Sequence, residues 1–556
     1  MLSTILLCHF LLFTAQLIHQ QAVAAQEAPL IEISLGRIRG SVLTSRKGRD
    51  IYAYRGIHYA EAPTGSRRFA PPEPVQPWND TLDALTDGPA CPQEFRGEQM
   101  DEDCLSLNVF TANESASNPV IVYIHGGENK EGSANSELRA GPQYLLDENV
   151  VLVSVFFRIG PFGFLSTGTA DAPGNYGYLD QLLALKWVKK HIHKFGGDSN
   201  RVTLLGHSTG GFAVTLHLVS PLSVGLFHGA IVQSCSTTNH FDMNNAYWSR
   251  KLANDLGCPK YETKYLLNCL RQVSWEEIVN TTVRWENYGL PNLKWNYEID
   301  GKFLLEHPSE SIRYNRFNRV PIITGVTRDE FDVMPQALAN QPDLLADIDK
   351  NFGLYAKDFL QFESAGIDDV RPKSIREFYY NGTSISQYNL DRFGLIESDA
   401  LIGHGVHRLV QLAKDHTDVY YYRFDYVGEK SRHSDSAGNP QGAYHGDDLL
   451  YVFKRKNFEV HDNSRDIFMV ERMTNLFASF AANGSPPLIE NMTWPPFTAN
   501  NNVVLYMKKY PFTSGPFYVD RYALWDELFP LRESSAGLQR GAVVLLVFAA
   551  AWNIFL

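Results

Sequence analysis

Four short stretches of the chain are apolar and rich in β-branched residues, with scarcely a polar interruption: residues 120–124, 150–155, 202–205 and 320–323. A strand exposed on one face alternates apolar and polar residues. Near-continuous runs therefore predict strands covered on both faces, as in a mainly parallel sheet. Between them the spacing turns helical. Over residues 180–193, Leu182, Leu183, Leu185, Trp187 and Val188 recur at helical spacing while Lys186, Lys189 and Lys190 fall outside, which predicts an amphipathic helix. Its lysines, with His191 and His193, are expected to form a solvated face rather than a metal or nucleic-acid site. Strands alternating with helices predict an α/β architecture: a large, mostly parallel central sheet flanked by helices. No internal repeat or low-complexity linker interrupts it, so a single domain is expected.

The two ends depart from this pattern. Ile5-Leu6-Leu7-Cys8-His9-Phe10-Leu11-Leu12-Phe13 is a short, largely apolar run, and Ala22-Val23-Ala24-Ala25 follows it. The run is too short to cross a bilayer and stops at small residues. It predicts a signal peptide over 1–25 rather than a buried first helix, although the usual basic flank is missing. Residues 542–556 are apolar except for Asn553, and upstream stand Ser534, Ser535, Ala536 and Gly537, then Leu538-Gln539-Arg540. Small residues, a short polar spacer and an apolar tail predict a glycosylphosphatidylinositol-anchor signal over 536–556, with a short tail anchor as the alternative. The folded domain is then 26–535. Its expected location is secreted, or on the extracellular face of the plasma membrane with membrane attachment through that C-terminal anchor.

Composition adds two exclusions. With 44% hydrophobic and 20% charged residues the chain reads as an ordinary globular protein rather than a disordered or multi-span one. A formal charge of −12 argues against nucleic acid as a partner, because phosphate binding needs a basic footprint. Six Asn-x-Ser/Thr triplets, at Asn79, Asn113, Asn280, Asn381, Asn483 and Asn491, fit an extracellular protein; Pro486 directly after Ser485 weakens Asn483 as an acceptor. Once Cys8 leaves with the signal peptide, five cysteines remain. In an oxidising compartment the sequence-local pairing is Cys91–Cys104 and Cys258–Cys269, leaving Cys235 free. No Cys-x-x-Cys pair suggests a structural zinc, so no metal site is expected.

The candidate chemistry starts at residues 202–211. An apolar strand runs into Gly206-His207-Ser208-Thr209-Gly210, with Gly211 and an apolar helical stretch behind it. A nucleophile raised on a tight strand-to-helix turn has unfavourable backbone angles, and flanking glycines let strand and helix crowd together. The N–H of Thr209, at the start of the helix, can then face a developing oxyanion. With 41 glycines in the chain the pentapeptide alone is unspecific; its setting between strand and helix makes it informative.

Around this motif the chain resembles the type-B carboxylesterase/cholinesterase family. Phe195-Gly196-Gly197-Asp198-Ser199-Asn200-Arg201-Val202, leading to Ser208, is similar to that family's first signature. Glu102-Asp103-Cys104-Leu105-Ser106-Leu107-Asn108-Val109 is similar to its second, with Ser106 where an aromatic is usual. Tyr54-Arg55-Gly56-Ile57, Gly174-Asn175-Tyr176-Gly177 and Trp494-Pro495-Pro496-Phe497 extend the resemblance over nearly the whole domain. It implies an α/β-hydrolase fold, the two local disulfides and no cofactor.

A serine hydroxyl needs a base, and the base needs an orienting acid, in the chain order Ser, acid, His. From the residues alone the base could be any of several histidines after Ser208, including His217, His240, His307 and His445. The resemblance selects His445, in Tyr444-His445-Gly446-Asp447, and Glu330, in Arg328-Asp329-Glu330, as partners of Ser208. Phe331 stands where the family usually has glycine, and is expected to constrain the turn carrying Glu330. The resemblance also assigns the oxyanion hole to the backbone N–H groups of Gly127, Glu128 and Thr209. Here the chain departs from the family: His125-Gly126-Gly127 is followed by Glu128, where a small residue is usual, and Asn129, where an aromatic is usual. A carboxylate at about 4 Å from an oxyanion costs roughly 4 kcal/mol at an effective dielectric near 20. Loss of one donor costs about 3–4 kcal/mol.

These readings predict a serine carboxylic-ester hydrolase working through an acyl-enzyme on a small-molecule ester, with activity weakened or specialised by Glu128. The stretch between Cys91 and Cys104 contains no tryptophan to stack on a choline cation, and Phe95 offers only a weaker surface, so the resemblance points to carboxylesterases rather than cholinesterases. The alternative is a catalytically impaired surface adhesion protein on the same fold, with a protein partner. Survival of all three triad residues, which packing does not require, favours the enzyme.

Overall fold

The structure, a computed structural model, describes residues 28–531 apart from 95–96, 242–243, 286–292, 333, 363–368 and 435–436. The expected signal peptide, the anchor segment and Phe95 lie outside the described residues. In chain order the strands are β1 (Leu30–Ile33), β2 (Gly36–Arg39), β3 (Ser41–Thr44), β4 (Asp50–His58), β5 (Thr81–Asp83), β6 (Ser106–Thr111) and β7 (Asn118–Ile124). They continue as β8 (Val151–Val155), β9 (Gly197–His207), β10 (Gly229–Gln233), β11 (Ile322–Thr327), β12 (Val419–Phe424), β13 (Val504–Met507) and β14 (Phe512–Ser514).

Eleven of these form one sheet in the order β14-β13-β12-β11-β10-β9-β7-β8-β6-β4-β3, and β1, β2 and β5 form a small second one. From β13 through β8 every neighbouring pair is parallel, and antiparallel pairing is confined to β14 at one side and to β6, β4 and β3 at the other. This is the α/β-hydrolase arrangement expected, with helices on both faces. The alternating side chains explain the unbroken apolar runs. Leu204 and Val232 enter a core on one face with Phe212 and Leu216, while Leu205, Ile231 and Ile323 enter a second core with Leu476 and Phe477. Both faces are buried, so no polar alternation survives.

Two sequence expectations need correction. The strand expected at 320–323 begins at Ile322, because Pro321 has no N–H to give a ladder. The helix expected over 180–193 runs Tyr176–His191, and His191 is not on a solvated face. It is buried against Trp187, with ring centroids 5.1 Å apart, and burial pushes its pKa down to about 4. Lys186, Lys190 and His193 are exposed as expected.

Disulfides join Cys91 to Cys104 and Cys258 to Cys269, and Cys235 is unpaired and buried. Among the acceptor asparagines, Asn79, Asn113, Asn381, Asn483 and Asn491 are exposed, while Asn280 is half-buried in the helix Trp275–Val283. Among the described residues no helix is long and apolar enough to cross a membrane.

Candidate active site

The functional candidates gather at the carboxyl ends of the parallel strands, where α/β sheets hold their ligands. Ser208 follows β9 directly, His125 and Gly126 follow β7, and Glu330 lies three residues beyond β11. The long connection after β12 brings back His445.

Ser208 has φ 59° and ψ −130°, and the helix Thr209–Val219 begins at the next residue. A non-glycine residue in this region costs on the order of 1–3 kcal/mol, held here by surrounding structure. Its N–H donates to the Gln233 carbonyl of β10 at 2.9 Å, and its carbonyl accepts from Phe212 at 3.0 Å. The glycines are required by close approach. A Cβ on Gly206 would lie 2.1 Å from the Gly210 carbonyl oxygen, and one on Gly210 would lie 2.1 Å from that of Ile124. The Gly-x-Ser-x-Gly spacing is therefore a steric solution, as the sequence implies.

Behind the nucleophile, His445 Nδ1 and Glu330 Oε2 are 2.6 Å apart. The other Glu330 oxygen accepts from the Thr327 N–H at 2.7 Å, and the Glu330 carbonyl accepts the His445 backbone N–H at 3.0 Å. The carboxylate is buried, so its two bonds fix it and leave the imidazole with Nε2 for other work. Phe331 and His207 both pack on the ring, with centroids 4.7 and 4.6 Å away. The Phe331 N–H is anchored on Ser398 Oγ at 2.9 Å, so the residue that replaces glycine packs on the imidazole as well as holding the turn.

The other candidate bases go elsewhere. His217 is bonded to Ser223 Oγ and Gln181 Oε1 in the interior, and burial pushes its pKa down to about 3. His240 stacks on Phe529 and contacts the Leu360 carbonyl; His307 caps the helix Pro308–Arg313. His445 alone of the four lines a cavity with Ser208. That cavity, about 210 Å³, is also lined by Gly126, Gly127, Glu128 and Phe331. The Ser208 hydroxyl makes no hydrogen bond to His445 among the described residues.

The loop expected to hold the oxyanion is a tight turn in which Lys130 and Glu131 N–H groups donate to the Gly127 carbonyl at 3.0 and 2.9 Å. Gly127 has φ 127°, and a Cβ there would meet the Glu131 carbonyl oxygen at 2.0 Å. Glu128 and Asn129 both have φ 54°, the left-handed region that favours glycine. Asn129, in the usual aromatic position, is buried and its side-chain amide donates to Tyr178 Oη and the Trp295 carbonyl, both at 3.0 Å. The Glu128 carboxylate pairs with Lys130 Nζ at 3.2 Å. Thr209, first in its helix, has no intrahelical acceptor for its N–H.

Several side chains near the site carried no sequence signal. His207 is buried, its Nε2 has no hydrogen-bond partner among the described residues, and burial with the neighbouring His445 holds its pKa well down. Asp448 accepts from Gln233 and Tyr422 at 2.8 Å each, and burial pushes its carboxyl up to about 6. Arg139, Arg432 and Arg455, distant in sequence, line the cavity with Ser208.

Comparison with known proteins agrees with this architecture. A family model described as the carboxylesterase family matches residues 27–525. The chain is 33% identical over 509 residues to a juvenile hormone esterase of Tribolium castaneum, covering 84% of this chain and 85% of that protein. It is 34% identical over 505 residues to esterase FE4 of Myzus persicae (86% and 88% covered), and 30% identical over 532 residues to a cocaine esterase of Oryctolagus cuniculus (91% and 97%).

Proposed function

Because this chain belongs to the carboxylesterase family, we propose that it cleaves carboxylic esters in two steps through an acyl-enzyme on Ser208. It is a carboxylesterase-type ester hydrolase acting on small-molecule esters. His445 takes the Ser208 proton as the hydroxyl attacks the ester carbonyl, then delivers it to the departing alcohol. Water repeats the sequence on the acyl-enzyme. Glu330 orients the imidazole and stabilises its cation, and the N–H groups of Gly127, Glu128 and Thr209 receive the oxyanion. The contact of Ser208 with His445 tightens on substrate binding, as catalytic hydrogen bonds often do.

The observation that carries this reading is the 2.6 Å bond from His445 to a buried, doubly held Glu330, opening on the cavity that Ser208 lines. Glu128 specialises the site: its carboxylate lines the same cavity and its backbone has a strained φ. The signal-peptide and anchor patterns support a location outside the cell, tethered to the plasma membrane. Labelling with a fluorophosphonate probe, followed by ester turnover of wild type and Ser208→Ala, tests the assignment. Labelling and turnover that both vanish in the variant support it. A wild type that neither labels nor turns over esters favours the adhesion alternative.

A further inference from the structure

The wall of the Ser208 cavity carries more positive charge than ester hydrolysis uses. Three guanidinium groups line it, from Arg139, Arg432 and Arg455. Arg139 is committed to Glu98, with Nε 2.7 Å from the carboxylate. For Arg432 and Arg455 no carboxylate lies within ion-pair distance among the described residues. Among the described residues the Arg432 side chain donates to the His445 carbonyl, at 3.3 Å from Nη1; its backbone N–H donates to Asp447 at 2.9 Å, and the Asp447 and Glu131 carboxylates act on its charge from beyond ion-pair distance. Arg455 Nε is buried without a hydrogen-bond partner, and the group beside it is the Tyr123 phenol. The acids facing the same space are Glu128, paired with Lys130, and Glu131.

His207 and His433 are held neutral by burial. The His433 imidazole is pushed down to about 4, and the nearby Arg432 and His445 add to that. Arg432 and Arg455 are themselves held below the ordinary guanidinium range by burial; Asp447 and Glu131 partly offset this at Arg432 and Tyr123 at Arg455, while the other arginines of the cluster add to it. Arg432 feels the charges of Asp447 and Glu131 without forming an ion pair, and Arg455 keeps a buried Nε with no hydrogen-bond partner among the described residues, so both guanidinium groups face the Ser208 cavity with donors to spare.

We propose that this cavity binds an anionic group of the ester substrate, a carboxylate held between Arg432 and Arg455 while the scissile carbonyl lies at Ser208. The inference rests on the ester-hydrolase reading and names its substrate class: esters of compact acids or alcohols that carry a free carboxylate. Charge-assisted hydrogen bonds to guanidinium groups are the strong ones, and arginine's fork matches a carboxylate. The cavity's size suits a small group. At about 210 Å³ it lies below the range of about 300–1,000 Å³ of drug-sized ligand sites.

The test compares two pairs of esters. Para-acetoxybenzoate against its methyl ester puts the charge on the alcohol side; para-nitrophenyl hemisuccinate against para-nitrophenyl butyrate puts it on the acyl side. In wild type the acid of at least one pair is expected to exceed its neutral partner about tenfold in kcat/KM, the effect of one charge-assisted hydrogen bond. The preference should fall to about twofold or less in Arg455→Met and Arg432→Met, and persist in part in Arg455→Lys. No preference in either pair, or a preference untouched in both methionine variants, overturns the proposal. Calorimetry with para-acetamidobenzoate and succinamate, amide counterparts of the two acids, needs no chemistry at Ser208. Binding by wild type about tenfold tighter than by Arg455→Met supports the anion site; equal binding of both ligands overturns it. If neutral esters are cleaved and no acid is preferred or bound, the subsite alone fails. If the acids bind in an Arg455-dependent way but no ester is cleaved and no fluorophosphonate reacts, the hydrolase reading alone fails.

Discussion

Glu128 and Lys130 form an ion pair of 3.2 Å across the turn proposed to supply the oxyanion N–H groups. In the proposed mechanism the pair gives the carboxylate a counter-charge close to the point where negative charge develops during acylation. Both side chains are partly exposed, so solvent screens them. Lys130→Met removes this counter-charge and is expected to lower kcat/KM about tenfold, more at low salt than at high salt. Glu128→Gln removes the repulsion itself and should raise the acylation rate by about tenfold. Stopped-flow measurement of the first turnover of a nitrophenyl ester reads both. In Glu128→Gly the same experiment reads deacylation. A slower second step would assign Glu128 a role as base for the incoming water, and equal rates would remove that role.

Replacing Glu330 by glutamine keeps the shape of the triad and removes the charge that favours the imidazolium. Glu330→Gln is expected to lower kcat by about 10³–10⁴-fold with little change in KM, as an orienting acid should. Steady-state kinetics check it. A KM effect with kcat intact would mean that Glu330 only supports the cavity wall.

Gly126 faces the back of the nucleophile turn. A Cβ there would lie 2.4 Å from the His207 carbonyl oxygen and 2.8 Å from Ser208 Cβ, and the first of these is backbone that cannot swing away. Gly126→Ala should displace the turn, slow fluorophosphonate labelling at least about tenfold, and destabilise the fold by about 1–3 kcal/mol. Labelling rates and a denaturant melt measure the two effects separately.

Glu397 ends the helix Leu390–Glu397, is fully buried, and neither carboxyl oxygen has a hydrogen-bond partner among the described residues. Burial holds its pKa well above the usual carboxyl range, and the charge of Glu128 pushes the same way. The folded state therefore keeps this proton while the unfolded chain gives it up near about pH 4.3. Stability falls as pH rises from there toward the raised folded pKa, because the unfolded state binds fewer protons over that window. Glu397→Met removes the titration. Its melting temperature should exceed that of wild type at pH 7, with the difference shrinking toward pH 4. A constant difference across that range would contradict the assignment.

What could be read from the sequence was whatever the backbone dictates locally. The nucleophile turn was legible because Gly206 and Gly210 leave no room for a Cβ, a constraint that a five-residue motif carries by itself. The parallel strands were legible because both faces are buried. The choice among His217, His240, His307 and His445 was not, since it depends on a connection of some twenty residues folding back across the sheet; only the family resemblance supplied it. His191 misled because it was grouped with the lysines by its polarity, whereas four residues after Trp187 in the same helix it falls on the buried face and packs on that ring. Arg139, Arg432 and Arg455 lay beyond reach altogether. Nothing local marks an arginine that will face a cavity, and these three come from separate segments that line one cavity only in the folded chain.

The most direct test of the central claim is to mix the protein with excess para-nitrophenyl acetate, quench with acid within the first turnover, and map the acetylated peptide by mass spectrometry. Acetyl on Ser208, formed with a burst of nitrophenol close to one equivalent and lost in Ser208→Ala, is the result expected. Nitrophenol released at the wild-type rate by Ser208→Ala, or an acetyl group carried by some other residue, would contradict it.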